Sequence, residues 1–321
     1  MLQERQVKMP KGIKIIGVGH AAGDRLVTND DMAEIVETSD SWIREKSGIR
    51  ARHFAEKKSN EDMASEAAVK AIEMSGVDPK EISVCIIATF TADFNTPAMA
   101  CNVAKRAGLG EEIIAFDLNG ACTGFIFGCN AARGLMSAGG RKYALVVGSE
   151  KISPFMDMKD RGTCVLFGDG AGAAVIELDN EEDFHFYSAV DANSDVLSCS
   201  RADNTIRMSG QEVYRFAVKH VPICIGEVLK KSGDSPEDID WFVCHQANER
   251  IIDNAARRTG SKEKFFKNLY MYGNTSAASI PIAISEMHEQ GLLEGKKSLV
   301  CTGFGAGLTY AGMKITTDIK K

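Results

Sequence analysis

Long apolar runs are missing from this sequence. None approaches the roughly 20 residues that cross a bilayer, so no membrane association is expected. The opening MLQERQVKMPKG has no apolar core of the signal-peptide kind, and the expected address is cytoplasmic. Paired cysteines are missing as well. The nine cysteines are an odd number with no CxxC among them, which argues against both a disulfide framework and a zinc cluster and leaves no metal site to expect. Most read as small buried hydrophobes. With a formal charge of -6 there is no excess of positive charge and no reason to expect nucleic acid. No Pro/Ser-rich linker divides the chain. What is there, 321 residues at 44% apolar and 26% charged, suffices for one large or two smaller globular domains with a sizeable core.

The chain repeats itself. SGVDPKEISVCIIAT from Ser75 returns as SGDSPEDIDWFVCHQ from Ser232, 157 residues later. NVAKRAG from Asn102 returns as NAARRTG from Asn254, and KYALVVGSE from Lys142 as KKSLVCTGF from Lys296. Three matches in one order, at nearly half the chain length, imply a duplicated domain; solenoid repeats have periods of about 20 to 50 residues. Each half alternates β-rich runs (KIIGVGH, VCIIATF, IIAFDL, YALVVGS, WFVCH, SLVCTGF) with amphipathic stretches. In NEDMASEAAVKAIEMSG, Asn60 is expected to cap a helix, Met63, Ala67, Ala71 and Met74 to form its apolar face, and Gly76 to end it. Alternation of this kind predicts an α/β fold, with helices on the faces of sheets.

Between IIAFDL and the helical GFIFGCNAARGLMSAGG lies Cys122, with Gly120 and Gly124 two residues away on each side. A thiol at a helix N-terminus feels the positive end of the macrodipole, which lowers its pKa, and the two glycines would let the chain turn sharply. The G-x-C-x-G pattern imitates the G-x-S-x-G elbow of α/β-hydrolases; alone, it is also compatible with an inert, packed cysteine. In the second half, His245 follows WFVC directly before a helix, and Asn274 sits in the small-residue loop YGNTSAASIP. A neutral imidazole offers one N–H and the amide offers two, so together they can hold a developing oxyanion. Each also has an ordinary structural reading, as a core histidine and a turn asparagine. His20, His53, His185, His220 and His288 are read as structural.

GACTGF, FGDGAGA, HQANERII, YGNTSAAS and GFGAGLT, in this order over nearly the whole chain, resemble β-ketoacyl-acyl-carrier-protein synthase III of bacterial type II fatty acid synthesis. The resemblance implies the thiolase fold, five-layered (αβαβα) with two pseudo-symmetric halves, 1–178 carrying the cysteine and 179–321 carrying the histidine and asparagine. It implies a homodimer. It also implies chemistry: Cys122 takes an acyl group from acyl-CoA, and His245 and Asn274 stabilise the enolate as malonyl-acyl-carrier-protein loses carbon dioxide. The carbanion then attacks the acyl group, and a 3-oxoacyl thioester results. The backbone N–H groups of Cys122 and Ala306, the latter in GFGAGL, would hold the acyl oxyanion. No cofactor is implied beyond the CoA thioester itself, and FGDGAGA lacks the spacing and context of a dinucleotide loop.

The same resemblance assigns CoA contacts to Trp42 and Arg161, sandwiching the adenine, and to Asn248 beside the pantetheine. EKSGIR stands where the family commonly has TRTGIR, and Lys46 there is a point charge where an arginine would be a fork. Arg215, Arg250, Arg257 and Arg258 match positions that present basic charge to the acidic carrier protein, which a basic rim would steer. Thr96, in TADFNTPAM, falls where relatives shape the acyl pocket across the dimer, and its size suggests room for primers larger than acetyl, including branched ones. Rival readings are a cysteine hydrolase, which needs neither Asn274 nor a duplicated chain, a non-catalytic carrier-binding protein, and a specialised thiolase-fold relative serving secondary metabolism.

Overall fold

The computed structural model describes residues 12–320; the N-terminal stretch read for a leader lies outside the described residues. The first half contains β1 (Gly12–Ala22), β2 (Arg25–Thr28), α1 (Asn29–Ala33), α2 (Asp40–Ser47), β3 (Ala51–Phe54) and α3 (Asn60–Ser75). It continues through β4 (Ile82–Ala88), α4 (Met99–Arg106), β5 (Ile114–Leu118), α5 (Gly124–Gly139), β6 (Tyr143–Glu150) and β7 (Gly170–Asp179). The second half contains β8 (His185–Val190), β9 (Leu197–Ser200), β10 (Thr205–Met208), α6 (Gly210–Ser232) and β11 (Trp241–Cys244). It ends with α7 (Glu249–Thr259), α8 (Leu269–Tyr272), α9 (Ser279–Glu289), β12 (Lys297–Gly305) and β13 (Thr309–Thr317).

The sequence repeat becomes a repeat of strand order. In the first half the order is β1-β7-β6-β4-β5, antiparallel for the first two pairings and parallel for the last two. In the second half it is β8-β13-β12-β11 with the same senses. The fifth position there is only a parallel bridge from Phe242 to Phe265, so the strand read at IIAFDL has no full counterpart. The two motifs join where β1 lies parallel to β13, at Lys14–Thr316 and Ile15–Thr317.

Helices fill three layers around these strands. On one outside, α3 packs on β1, β7 and β6; on the other, α6 packs on β13, β12 and β8 with α7 beside it. Between them, α5 covers β6 and β4 while α9 covers β7 and β1. Their shared core draws on Val146 and Ile176 of one motif and on Leu299 and Met313 of the other. Phe125 and Ile126 of α5 are fully buried in it, each contributing on the order of 2 kcal/mol by removal from water.

Local signals explain where the elements start, with one correction. The cap of α3 is Ser59, whose hydroxyl accepts from Asp62 N–H while the Asp62 carboxylate accepts from Ser59 N–H. Asn60, expected to be the cap, is the first helical residue, and its amide donates to Thr89 Oγ1 and to the Thr91 carbonyl. An asparagine followed by two acids matches the cap pattern as well as a serine does, and only the tertiary partners separate them. Gly76 closes the helix at φ +66 as read.

Candidate active site

Cys122 lies in a single turn of 3-10 helix, Ala121–Thr123, that leads straight into α5. The glycines around it do not supply the turn. Gly120 has φ -122 and Gly124 has φ -55, both open to any residue. They supply space: a Cβ on Gly120 would come within 2.8 Å of the Phe127 ring, and one on Gly124 within 3.0 Å of Ala88 Cβ. The left-handed residue is Ala121, at φ +44, a position that costs a side chain on the order of 1 kcal/mol and is held by its surroundings. From the other half, Gly305 at the end of β12 presses on the cysteine, and a Cβ there would lie 2.9 Å from Cys122 Cβ and 3.2 Å from its Sγ.

The thiol also departs from expectation. Burial pushes Cys122 up to about 12, with the nearby Ser276 side chain pulling the other way. Loss of solvation outweighs the helix terminus in the resting chain, so thiolate forms only when something takes the proton.

His245 follows β11 and is locked there by its backbone N–H, which donates to Thr302 C=O at 2.7 Å. The ring is 2% exposed and burial lowers it to about 3, so the imidazole is neutral near pH 7. Its Nδ1 is 2.6 Å from Ser279 Oγ. That hydroxyl also accepts from Gln246 N–H at 3.4 Å; with the serine proton directed to Nδ1, the ring N–H sits on Nε2.

Asn274 is fixed by the chain on both sides. Its backbone N–H donates to Leu166 C=O at 2.8 Å, and its C=O accepts from Gly168 N–H at 3.1 Å. The glycine-rich FGDGAGA therefore holds Asn274. It leads from a turn-rich segment into β7, and its Asp169 carboxylate accepts from the backbone of Ala55, Ile152 and Ser153. Asn274 Oδ1 accepts from Ser276 N–H at 2.9 Å, which assigns the free amide N–H2 as donor.

Cys122, His245, Asn274 and Ala306 all line one cavity of about 290 Å³. Its far wall is apolar: Phe90, Phe167, Leu197, Ile206 and Met208. None of them is assigned to the site from sequence: Leu197, Ile206 and Met208 lie on β9 and β10, and Phe90 and Phe167 on segments beside β4 and β7, so only folding brings them together. Asn248 also lines the cavity, caps α7 with its side chain, and donates to Lys46 C=O at 2.9 Å, tying α2 to the site.

The remaining candidates stand outside the lining. Arg161 sits 4.5 Å from the centroid of the Trp42 ring, so the pair stack on each other with no ring-wide gap between them. Arg250 stacks at 5.2 Å on Tyr214, a cavity residue, and the exposed Arg215 follows Tyr214 on α6. Arg257 and Arg258 are exposed at the other end of α7, about 11 to 12 Å farther along its axis than Arg250 at 1.5 Å per residue. Thr96 is exposed on the loop before α4 and does not line this chain's own cavity.

Two motifs of one strand order, with central helices between them, make this a thiolase fold, and one cavity in it gathers Cys122, His245 and Asn274. Residues 116–195 match the model of 3-oxoacyl-[acyl-carrier-protein] synthase III, and residues 229–317 match that of its C-terminal part. A β-ketoacyl-[acyl-carrier-protein] synthase III from Clostridium acetobutylicum is 44% identical, covering 94% of this chain and 97% of that protein. The crystal structure of 3-oxoacyl-[acyl-carrier-protein] synthase III from Aquifex aeolicus superposes with a TM-score of 0.90 at 37% identity, covering 94% of this chain and 99% of that one. The priming β-ketosynthase of the R1128 polyketide pathway superposes at 0.92 with 31% identity, covering 98% of this chain and all of that one. The chain belongs to the 3-oxoacyl-[acyl-carrier-protein] synthase III family.

Proposed function

We propose that this enzyme initiates fatty acid synthesis by condensing an acyl-CoA primer with malonyl-acyl-carrier-protein. Cys122 Sγ attacks the primer's carbonyl, forming an acyl thioester and releasing CoA. The N–H groups of Cys122 and Ala306 hold the oxyanion, and splitting one difficult transfer into two steps lowers each barrier. His245 Nε2–H and the Asn274 amide then bind the malonyl thioester carbonyl as carbon dioxide leaves. Two preoriented donors in a water-poor pocket are each worth about 3 to 4 kcal/mol to an enolate. The carbanion attacks the acyl group, giving 3-oxoacyl-acyl-carrier-protein and free Cys122. The observation that carries this conclusion is that one cavity gathers Cys122, His245 and Asn274, with Asn274 Oδ1 taken by Ser276 N–H and His245 Nδ1 by Ser279 Oγ, so that the amide N–H2 and Nε2 are the atoms left for a substrate.

Trp42, Arg161 and Asn248 belong to this proposal as the CoA contacts, and Arg215, Arg250, Arg257 and Arg258 as the carrier-protein contacts. So does a homodimer, in which β5, the last strand of its sheet, has an outer edge to cover. Thr96 would then reach the acyl pocket of the partner. Intact-mass measurement with acetyl-, isobutyryl- and longer acyl-CoAs, followed by malonyl-acyl-carrier-protein, tests the proposal. An adduct on Cys122 that disappears with release of carbon dioxide is the expected result; an adduct that ignores the malonyl carrier overturns it. Priming of a polyketide-type pathway is a second reading, favoured by the likeness to the R1128 enzyme; it shares every step and differs in the primer that loads best.

A further inference from the structure

Behind the cysteine lies a carboxylate that the reaction above does not use. Glu150, at the end of β6, is fully buried. Its Oε2 accepts from the hydroxyls of Thr89 and Thr91 at 3.1 and 2.5 Å and from Thr91 N–H at 3.2 Å. Its Oε1 accepts from Ser276 Oγ at 3.2 Å. Ser276 and Cys122 line the same cavity, and the 3-10 turns that carry them pack on each other. A path from Cys122 Sγ by way of Ser276 Oγ to Glu150 Oε1 would cross from the first half to the second and back.

Resting on the acyl-Cys122 chemistry proposed above, we propose that Glu150 receives the Cys122 proton through the Ser276 hydroxyl during acylation, stores it, and returns it after condensation. As Sγ–H passes its proton to Ser276 Oγ, Ser276 passes its own to Glu150. The Sγ–C bond forms, the bond from carbonyl carbon to CoA sulfur breaks, and the CoA thiolate leaves and takes a proton from water. In the second step the carbanion displaces Cys122 as thiolate, and the stored proton runs back to Sγ. One proton is consumed overall, matching conversion of a malonyl carboxylate to neutral carbon dioxide.

Two observations favour this route. His245 is held neutral and weakly basic by burial, so it is a poor acceptor for a thiol proton. Glu150 is raised from 4.5 to about 8, burial outweighing the hydrogen bonds it accepts, which brings it nearer to a thiol. The titratable groups facing it are Cys122 and, from β9, Cys199; its other partners are the neutral Thr89, Phe90 N–H, Thr91 and Ser276.

The test is the acylation rate of the full-length protein with acetyl-CoA from pH 6 to 10, by quenched intact mass. The wild-type rate should climb through about pH 8. Glu150→Gln and Ser276→Ala should slow acylation at least 10-fold and lose that limb, while Glu150→Asp restores part of it. Because Ser276 has φ +48, Ser276→Gly removes the hydroxyl without backbone strain and serves if the alanine variant folds poorly. Wild-type adducts together with unchanged rate and pH profile in folded Ser276→Gly and Glu150→Gln overturn the relay alone. No adduct in the wild type overturns the relay and the acyl-enzyme together.

Discussion

His245 Nδ1 and Ser279 Oγ stand 2.6 Å apart, both residues buried. A serine that opens the last helix is thus the Nδ1 partner of a histidine 34 residues earlier in sequence, and a serine proton directed there would put the ring N–H on Nε2. Ser279→Ala leaves Nδ1 without its partner and lets the other tautomer form. Loss of such a bond is worth about 1 kcal/mol, so malonyl decarboxylation should fall about 5- to 10-fold while Cys122 still acylates. Rates of carbon dioxide release set beside intact masses read the two steps separately.

His245→Ala and Asn274→Ala each remove a donor outright. Condensation should fall by about 100- to 1,000-fold, with the acyl adduct on Cys122 accumulating because its consumer is gone. Single-turnover assays with pre-acylated enzyme measure this directly, and normal condensation by either variant would refute its assigned role.

Gly305→Ala places a methyl group against Cys122, 2.9 Å from its Cβ and its backbone N. Overpacking of this kind costs about 1–3 kcal/mol, and here it also displaces the nucleophile. Acylation should drop at least 10-fold, accompanied by a lower melting temperature in calorimetry.

Carrier recognition should separate from primer loading. Arg250→Glu, beside the cavity residue Tyr214, should lower kcat/KM for malonyl-acyl-carrier-protein about 10-fold and reduce its salt dependence, leaving acyl-CoA loading unchanged. Arg258→Glu, at the far end of α7, should have the smaller effect if the carrier docks beside Tyr214. Steady-state kinetics at two ionic strengths distinguish the pair.

Stability should depend on pH through two buried groups of opposite sign. His245, lowered from 6.5 to about 3, takes a proton more readily unfolded than folded, so its contribution is complete above pH 6.5 and declines as pH falls. Glu150, raised from 4.5 to about 8, contributes fully below pH 4.5 and loses its contribution as pH rises to about 8. Between pH 6.5 and 8 the histidine is silent, and the carboxylate should remove about 1–2 kcal/mol. Melting curves should show that decline in the wild type and its loss in Glu150→Gln.

Much of this was legible in the sequence because it was written twice. The duplication, the alternation of strands and helices, and the placement of Cys122 and His245 beside strand ends follow from recurring turns and apolar runs, while Asn274 is marked only by its small-residue loop. What stayed hidden depends on partners distant in sequence. Asn60 looked like a cap because its bonds to Thr89 and Thr91 are invisible in a helical window. Gly120 and Gly124 looked like hinges, although they make room for Phe127 and Ala88 while Ala121 makes the turn. The macrodipole argued for an acidic thiol, but the depth of burial, which no local pattern records, pushes it the other way. Nothing in the sequence marks Glu150 at the end of an apolar strand, since its partners come from the segment after β4 and from the 3-10 turn before α9.

Asn274 is held in place by Leu166 and Gly168, which belong to the other copy of the repeat. An ancestor made of a single copy could pair with itself, but in this chain the copies have become mutually dependent, each supplying scaffolding for the other's reactive group. Cutting the polypeptide between β7 and β8 should therefore yield two pieces with no residual turnover apart, and with activity that returns only as they reassemble.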